Sequence, residues 1–373
     1  MSESTPPGIW ARPAGRYFTR HAETKLARLL RHYAWTPTDV LGDADLVLLG
    51  SPRHLAKFAP RDDQLVDCVE GTEHLTHKGN LARLLRQDSR TAALQPETFL
   101  VDDDPDERER FIARARAEPD AIWIRKPVAR GRGIGVAVMT DLDAYLAEPR
   151  QARAHGAELI QRYIERPLLL EGTKSEVRSY ILVACTDPLL VLYHDGTVRL
   201  TSLPYQPTDW SNPLRHVTNT YRQKQASSEL WAQRGEALKW TLGRLGQDLH
   251  ARGLTEDPRW VDHQLRPALI GILHLVFSAA ASRLRARRGA FQLLGMDTIL
   301  EDDLEKLWLT EIQLGPGLST DNPVKATLIP SMLQEAISIV LEVRDRLAAG
   351  DDPTRLRARR HFRWVYRGAS VTG

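Results

Sequence analysis

The stretch from Ala121 to Glu311 limits the fold more than any other part of the chain, because strand-like apolar runs follow one another there. Each run is closed by proline, glycine or charge. Ala-Ile-Trp-Ile-Arg-Lys-Pro (121–127) has the apolar content of a buried strand, and Gly131-Arg132-Gly133-Ile134-Gly135 supplies the small residues of a tight turn. Further runs lie at 135–139, from Leu159 toward Pro167, near 177–184, 189–194 and 197–202, and over Phe291–Leu300 and Leu307–Gln313. Helical patterns separate them: Asp106–Ala117, a helix N-capped by Asp141 and running toward Arg153, much of Ser227–Arg288, and Pro323–Leu347. Leu238, Thr241, Leu242 and Leu245 repeat at helical spacing and face a core. Strands covered by such helices define a mixed α/β (α+β) class.

A chain of 373 residues is long for one core and divides into lobes. Residues 1–97 read as an N-terminal α/β lobe, with a strand at Leu46–Leu49 and helical segments around 22–33 and 80–86. Residues 98–166 form a central lobe, 167–350 a C-terminal lobe and 351–373 a basic tail. In that tail six arginines are interleaved with His361, Phe362, Trp364 and Tyr366, a pattern that either packs back on its own domain or binds RNA or acidic segments. The formal charge of +3 is small for a nucleic-acid binder, so no such partner is expected. No apolar stretch reads as a bilayer span, and Met-Ser-Glu-Ser-Thr-Pro-Pro reads as a disordered tail rather than a secretion signal; a cytoplasmic protein is expected. Cys68 and Cys185 stand alone, which argues against a disulfide framework or zinc and suits buried hydrophobes.

The candidate site residues are spread along these runs. A loop holding Gly131 and Gly133 can turn backbone N–H groups toward phosphate oxygens, with Lys126 as a nearby point charge. Gln161, near a strand end, can meet a base edge, and Lys174 and Arg178 follow a turn at Gly172. Arg178 either stabilises developing phosphoryl charge or pairs with Glu176. Arg199, placed after an Asp195-Gly196 hairpin turn, can take a substrate carboxylate bidentately. Thr218 and Asn219 either orient a ligand or cap a loop, and His216 is assigned to packing. Asp297 and Glu311 sit in apolar strands, where an unpaired charge is costly and calls for a cation; Gln313 shares the face of Glu311. No Gly-x₄-Gly-Lys-Ser/Thr pattern occurs, which excludes a P-loop.

Gln161-Arg162-Tyr163-Ile164-Glu165-Arg166-Pro167-Leu168-Leu169-Leu170 through Arg178-Ser179-Tyr180-Ile181-Leu182-Val183 closely resembles the signature of the tubulin-tyrosine ligase family, a branch of the ATP-grasp enzymes. So do Leu75–Leu81, Tyr193–Arg199, His216–Asn219, Phe291–Asp297 and Leu307–Ile312, in the family's order, so the resemblance covers most of the chain. It implies an ATP-grasp fold of N-terminal, central and C-terminal lobes. It implies ATP held by Lys126 and Lys174 at the phosphates and by Gln161, Tyr163 and Ile164 at the adenine, with Mg²⁺ on Asp297, Glu311 and Gln313. The implied reaction joins a free amino acid to a protein or peptide carboxylate through an acyl phosphate. Tubulin is the acceptor only where the host has it. The chain departs from the family pattern in a shorter glycine loop, in Ser175 and Glu176, and in Gln313, where the family has Asn. A non-catalytic member that binds nucleotide or an acidic tail is the alternative.

Overall fold

A computed structural model describes residues 14–20, 24–102, 105–148 and 157–368. The N-terminal tail at 1–7 lies outside the described residues, as does the expected helix beyond Glu148. The helix that Asp141 caps, by accepting from the Ala144 N–H, spans Leu142–Ala147.

Among the described residues three sheets organise the fold. The first is parallel, in the order β2-β1-β3-β4: β1 (Arg16–Thr19), β2 (Thr36–Pro37), β3 (Leu46–Leu48) and β4 (Leu65–Val66). Leu46, Val47 and Leu48 are all buried, as a parallel strand covered on both faces requires. The second is antiparallel, in the order β5-β8-β6-β7: β5 (Thr98–Phe99), β6 (Trp123–Pro127), β7 (Ala137–Met139) and β8 (Glu158–Arg162). Its two-residue period sends Trp123 and Ile160 toward Phe111 of the Pro105–Ala117 helix, and leaves Ile124, Lys126 and Gln161 for the opposite face.

The third sheet is the largest. Its order is β12-β11-β10-β13-β14, with β9 (Leu169–Leu170) added to β10 (Thr173–Thr186) and β15 (Arg363–Arg367) added to β11 (Leu189–Leu200). β12 (Lys239–Trp240), β13 (Gln292–Leu300) and β14 (Leu307–Leu314) complete it. Side chains alternate along β10: Val177, Ile181 and Val183 enter one core with the Arg266–Ala280 helix, and Tyr180, Leu182 and Ala184 enter another with the Pro323–Ala349 helix. Among the described residues two helical segments, Val261–Arg283 and Pro323–Ala349, are long and apolar enough to cross a membrane, contrary to the expectation from sequence. Both place their apolar residues in these two cores, which accounts for the composition.

The predicted hairpin turn at Asp195-Gly196 is not formed. β10 and β11 are joined at Asp187-Pro188, and Asp195-Gly196 lies inside a continuous β11. Arg178 pairs with Thr197 and Tyr180 with His194, so β11 carries one extra residue there, a β-bulge. A Cβ on Gly196 would lie 2.0 Å from the Arg178 carbonyl oxygen, so the Asp-Gly pair serves a close strand approach rather than a turn.

The basic segment after Gly350 packs back. β15 pairs with the edge of β11, Leu192 opposite Trp364. Glu335 accepts from the N–H groups of Arg360, His361 and Phe362 at 2.7–2.9 Å, and Glu342 from those of Arg357 and Ala358 at 2.9 and 2.8 Å. Phe362 is fully buried.

Candidate active site

The second and third sheets face each other across a cleft whose walls include Ile124 and Lys126 from β6 and Lys174, Glu176 and Arg199 from β10 and β11. Lys174, Glu176 and Arg178 occupy alternate positions of β10 and share a face. Strand pairing extends that face sideways: Arg178 lies opposite Asp297, Asp297 opposite Glu311, Glu176 opposite Arg199 and Arg199 opposite Lys239. A row of charges therefore crosses five strands.

The two sequence-predicted phosphate lysines converge from different sheets. Lys126 Nζ donates to Gln161 Oε1 at 2.6 Å, and Gln161 Nε2 donates to Thr98 Oγ1 at 2.8 Å. Lys174 Nζ donates to the Tyr163 hydroxyl at 2.8 Å and lies 4.0 Å from that ring's centroid. The hydroxyl in turn bonds His216 Nδ1 at 3.0 Å, with His216 Nε2 at 2.7 Å from the Asp209 carbonyl, so His216 anchors Tyr163. Burial pushes the Lys126 ammonium down to about 8 and the Lys174 ammonium to about 7; Glu311 and Glu176 respectively oppose the shift, while Lys78 adds to it at Lys126 and Lys126 adds to it at Lys174. Gln161 and Tyr163 thus hold lysines in place, and Ile164 is buried just beyond β8.

The glycine loop follows β6. Gly133 has φ +69°, and a Cβ there would lie 3.2 Å from Val217 and 3.3 Å from Asn219, so only glycine fits comfortably. Gly131 lines a wider cleft running between residues 70–78, 128–132 and 311–315. Asn219 borders the lysine cleft but its side chain accepts from the Tyr221 and Arg222 N–H groups, capping the helix Thr220–Ala226.

Asp297 is 1% exposed and lies between two arginines. Arg178 grips it through Nε and through Nη2 at 2.9 Å, and Arg199 Nη2 reaches it at 2.6 Å. The alternative pairing of Arg178 with Glu176 is not formed. Arg199 instead takes Glu176 at 2.7 Å, and Thr218 and Thr310 also donate to that carboxylate. Burial alone would raise the Asp297 carboxyl; the two guanidinium groups override it and hold it at about 2. Burial and the neighbouring Asp297 raise Glu311, which Lys78 approaches at 3.8 Å.

Gln313 Nε2 bridges the two carboxylates, at 3.1 Å from Asp297 Oδ2 and 3.1 Å from Glu311 Oε1. Among the described residues no three His, Cys, Asp or Glu side chains gather closely enough to hold a metal. The donor set is two carboxylates and one amide. Such a set fits a hard divalent cation that takes its remaining oxygens from phosphate and water, and a cation there would relieve the raised Glu311.

Sequence reasoning missed Lys78, which reaches Glu311 and donates to the Arg130 carbonyl at 2.6 Å. Its signal was its place inside Leu75–Leu81. Glu176 was read as a partner for Arg178 and as a departure from the family pattern, and Lys239 not at all.

Two antiparallel sheets closing over paired lysines and carboxylates define an ATP-grasp-type protein. A family model for the tubulin-tyrosine ligase family matches residues 57–347, and the chain belongs to that family. Protein polyglycylase TTLL10 of Macaca fascicularis is 33% identical over 292 residues, covering 73% of this chain and 46% of that protein. The human protein named inactive polyglycylase TTLL10 is 32% identical over 292 residues, 73% of this chain and 42% of that one. Tubulin monoglutamylase TTLL4 of Mus musculus is 27% identical over 312 residues, 79% and 25%. The chain spans less than half the length of each of these relatives.

Proposed function

We propose that this chain is an ATP- and Mg²⁺-dependent ligase that joins a free amino acid to a protein or peptide carboxylate, working in the cytoplasm where ATP is supplied. The observation that carries the reading is the convergence of Lys126 and Lys174, from two facing sheets, on the cleft bordered by Asp297 and Glu311. The lysines neutralise the triphosphate and hold it in line with the acceptor. Asp297, Glu311 and Gln313 would hold Mg²⁺, which would supply positive charge to offset that of the phosphates. An acceptor carboxylate oxygen attacks the γ-phosphorus and releases ADP. The amine then attacks the acyl carbon, and phosphate and a proton leave as the amide forms. Arg178, presented by the same face, faces the charge that builds on the transferring group. Tubulin is an acceptor only in a host that makes it.

The test is incorporation of labelled amino acids into host lysate with ATP and Mg²⁺, separated into protein and small-molecule fractions. Label that Glu311→Gln abolishes supports the ligase. A second reading, nucleotide binding without turnover, is favoured by Gln313 in place of Asn and by the inactive designation of the human relative. Nucleotide bound with no label incorporated, and no ATP hydrolysis that depends on Glu311, would select it.

A further inference from the structure

The row of charges on the third sheet ends in Lys239, a cation that lacks an anion of its own. β12 sets Lys239 directly opposite Arg199, and cross-strand neighbours have Cβ atoms about 4.5–5.5 Å apart, where like charges repel. Lys239 is 4% exposed and Arg199 6%. Lys325, from the Pro323–Ala349 helix, is a third buried cation. Burial lowers the Lys239 ammonium to about 7, with Arg199 and Lys325 adding to the shift. Burial likewise lowers Lys325 to about 8, with Arg178 and Arg199 adding to the shift.

Their hydrogen bonds are incomplete. Lys239 Nζ donates to Thr220 Oγ1 at 2.7 Å and Lys325 Nζ to Ser319 Oγ at 2.7 Å, although each ammonium has three N–H groups. Arg199 Nε is buried with no acceptor. Asp321 is the carboxylate that acts on both lysines, and it is already paired with Lys224 at 2.6 Å. Among the described residues no carboxylate forms an ion pair with Lys239 or Lys325.

The position decides what the missing anion is. The proposed triphosphate occupies the cleft between Lys126 and Lys174, and the wider cleft at Glu311, open between residues 70–78 and 128–132, suits a macromolecular acceptor. Lys239 lies at the other edge of the row, four strand spacings or roughly 19 Å from Glu311. Of the three reactants in the ligase reading, on which this inference rests, only the amino acid is left, and every α-amino acid carries a carboxylate. We propose that Arg199, Lys239 and Lys325 form a carboxylate subsite that holds the incoming amino acid with its amine turned toward the activated acceptor. Arg199 is shared, linking this subsite to Glu176 and Asp297.

The experiment titrates each of the twenty protein amino acids, and the carboxamide of any that binds, onto the full chain loaded with ADP and Mg²⁺. Wild type is compared with Lys239→Met, Lys325→Met and Lys239→Arg. We expect at least one amino acid to bind, each Met variant to weaken it about 10- to 100-fold, and Lys239→Arg to keep most of the affinity. The carboxamide is expected to bind all four proteins poorly, and ADP affinity to change by less than about threefold. Without amino acid, Lys239→Met is expected to melt at or above wild type, because a repelling pair is relieved; a purely structural lysine would show the reverse. Lys325→Met tests the subsite from a separate element if Lys239→Met does not fold. Amino-acid affinity unchanged in both Met variants, ADP affinity lost in its place, or no amino acid bound by wild type would each overturn the proposal. Lys239-dependent amino-acid binding without any amide product would instead remove the ligase reading and leave the subsite standing.

Discussion

Lys126 and Lys174 carry depressed pKa values, about 8 and about 7, chiefly from burial. A polyanionic nucleotide favours their charged forms, so binding takes up protons above those values. Affinity for ATP is therefore expected to fall as pH rises from 7 toward 9, by up to roughly tenfold per pH unit for each proton taken up. Calorimetry at pH 8 in two buffers of different ionisation enthalpy reads the uptake directly, and equal heats in both would refute it. Arg178→Met tests the opposite side of the site. It leaves Asp297 buried with Arg199 as its remaining guanidinium, and a loss of about 3–5 kcal/mol in denaturant unfolding is expected. The identities of Lys126, Lys174, Asp297 and Glu311 were legible because each falls in a strand-like run at a recognisable motif. Lys78 was marked only by its place inside Leu75–Leu81, since nothing local in His77-Lys78-Gly79 shows that a separate helix brings it to Glu311. Gln161 and Tyr163 were noticed, but their bonds to the lysines depend on which strands pair, and that is not a local property.

At the scale of elements, the alternation of β10, β13 and β14 was readable from residue pattern, and the observed pairs Arg178–Asp297 and Asp297–Glu311 follow from one register. Asp195-Gly196 misled because the same dipeptide serves tight turns and strand bulges, and only the partner strand distinguishes them. The bulge sets which face Arg199 occupies: with one residue fewer in β11, the strand beyond Asp195 would exchange its faces. Gly196→Ala should thus cost about 1–3 kcal/mol, as a Cβ meets the Arg178 carbonyl, and should also impair Arg199. Chemical denaturation gives the first effect. An amino-acid affinity that stays at the wild-type value in folded Gly196→Ala would refute the second. Lys239 escaped notice because a two-residue strand leaves no periodicity to read.

At the scale of the molecule, the third sheet receives its edge strand from residues far along the chain, and two buried glutamates of the Pro323–Ala349 helix fasten the connection. Glu335→Ala removes the acceptor of three backbone N–H groups, and a loss on the order of 3 kcal/mol is expected. Limited proteolysis should then open the chain within 351–362; an unchanged digestion pattern would show that β15 holds without the carboxylate. The packing of this segment could not be read from its composition, since interleaved arginines and aromatics suit a docked strand and a solvent-exposed binding tail equally. The late position of β15 also bears on how the protein is made. At roughly 5–20 residues per second, a ribosome finishes β11 on the order of 10 to 30 seconds before it reaches β15. Through that interval Leu190, Val191, Leu192 and Tyr193 line an edge whose eventual partner does not yet exist. The growing chain is thus most exposed to wrong pairing during synthesis, and a nascent-chain chaperone would be needed there more than at any later time.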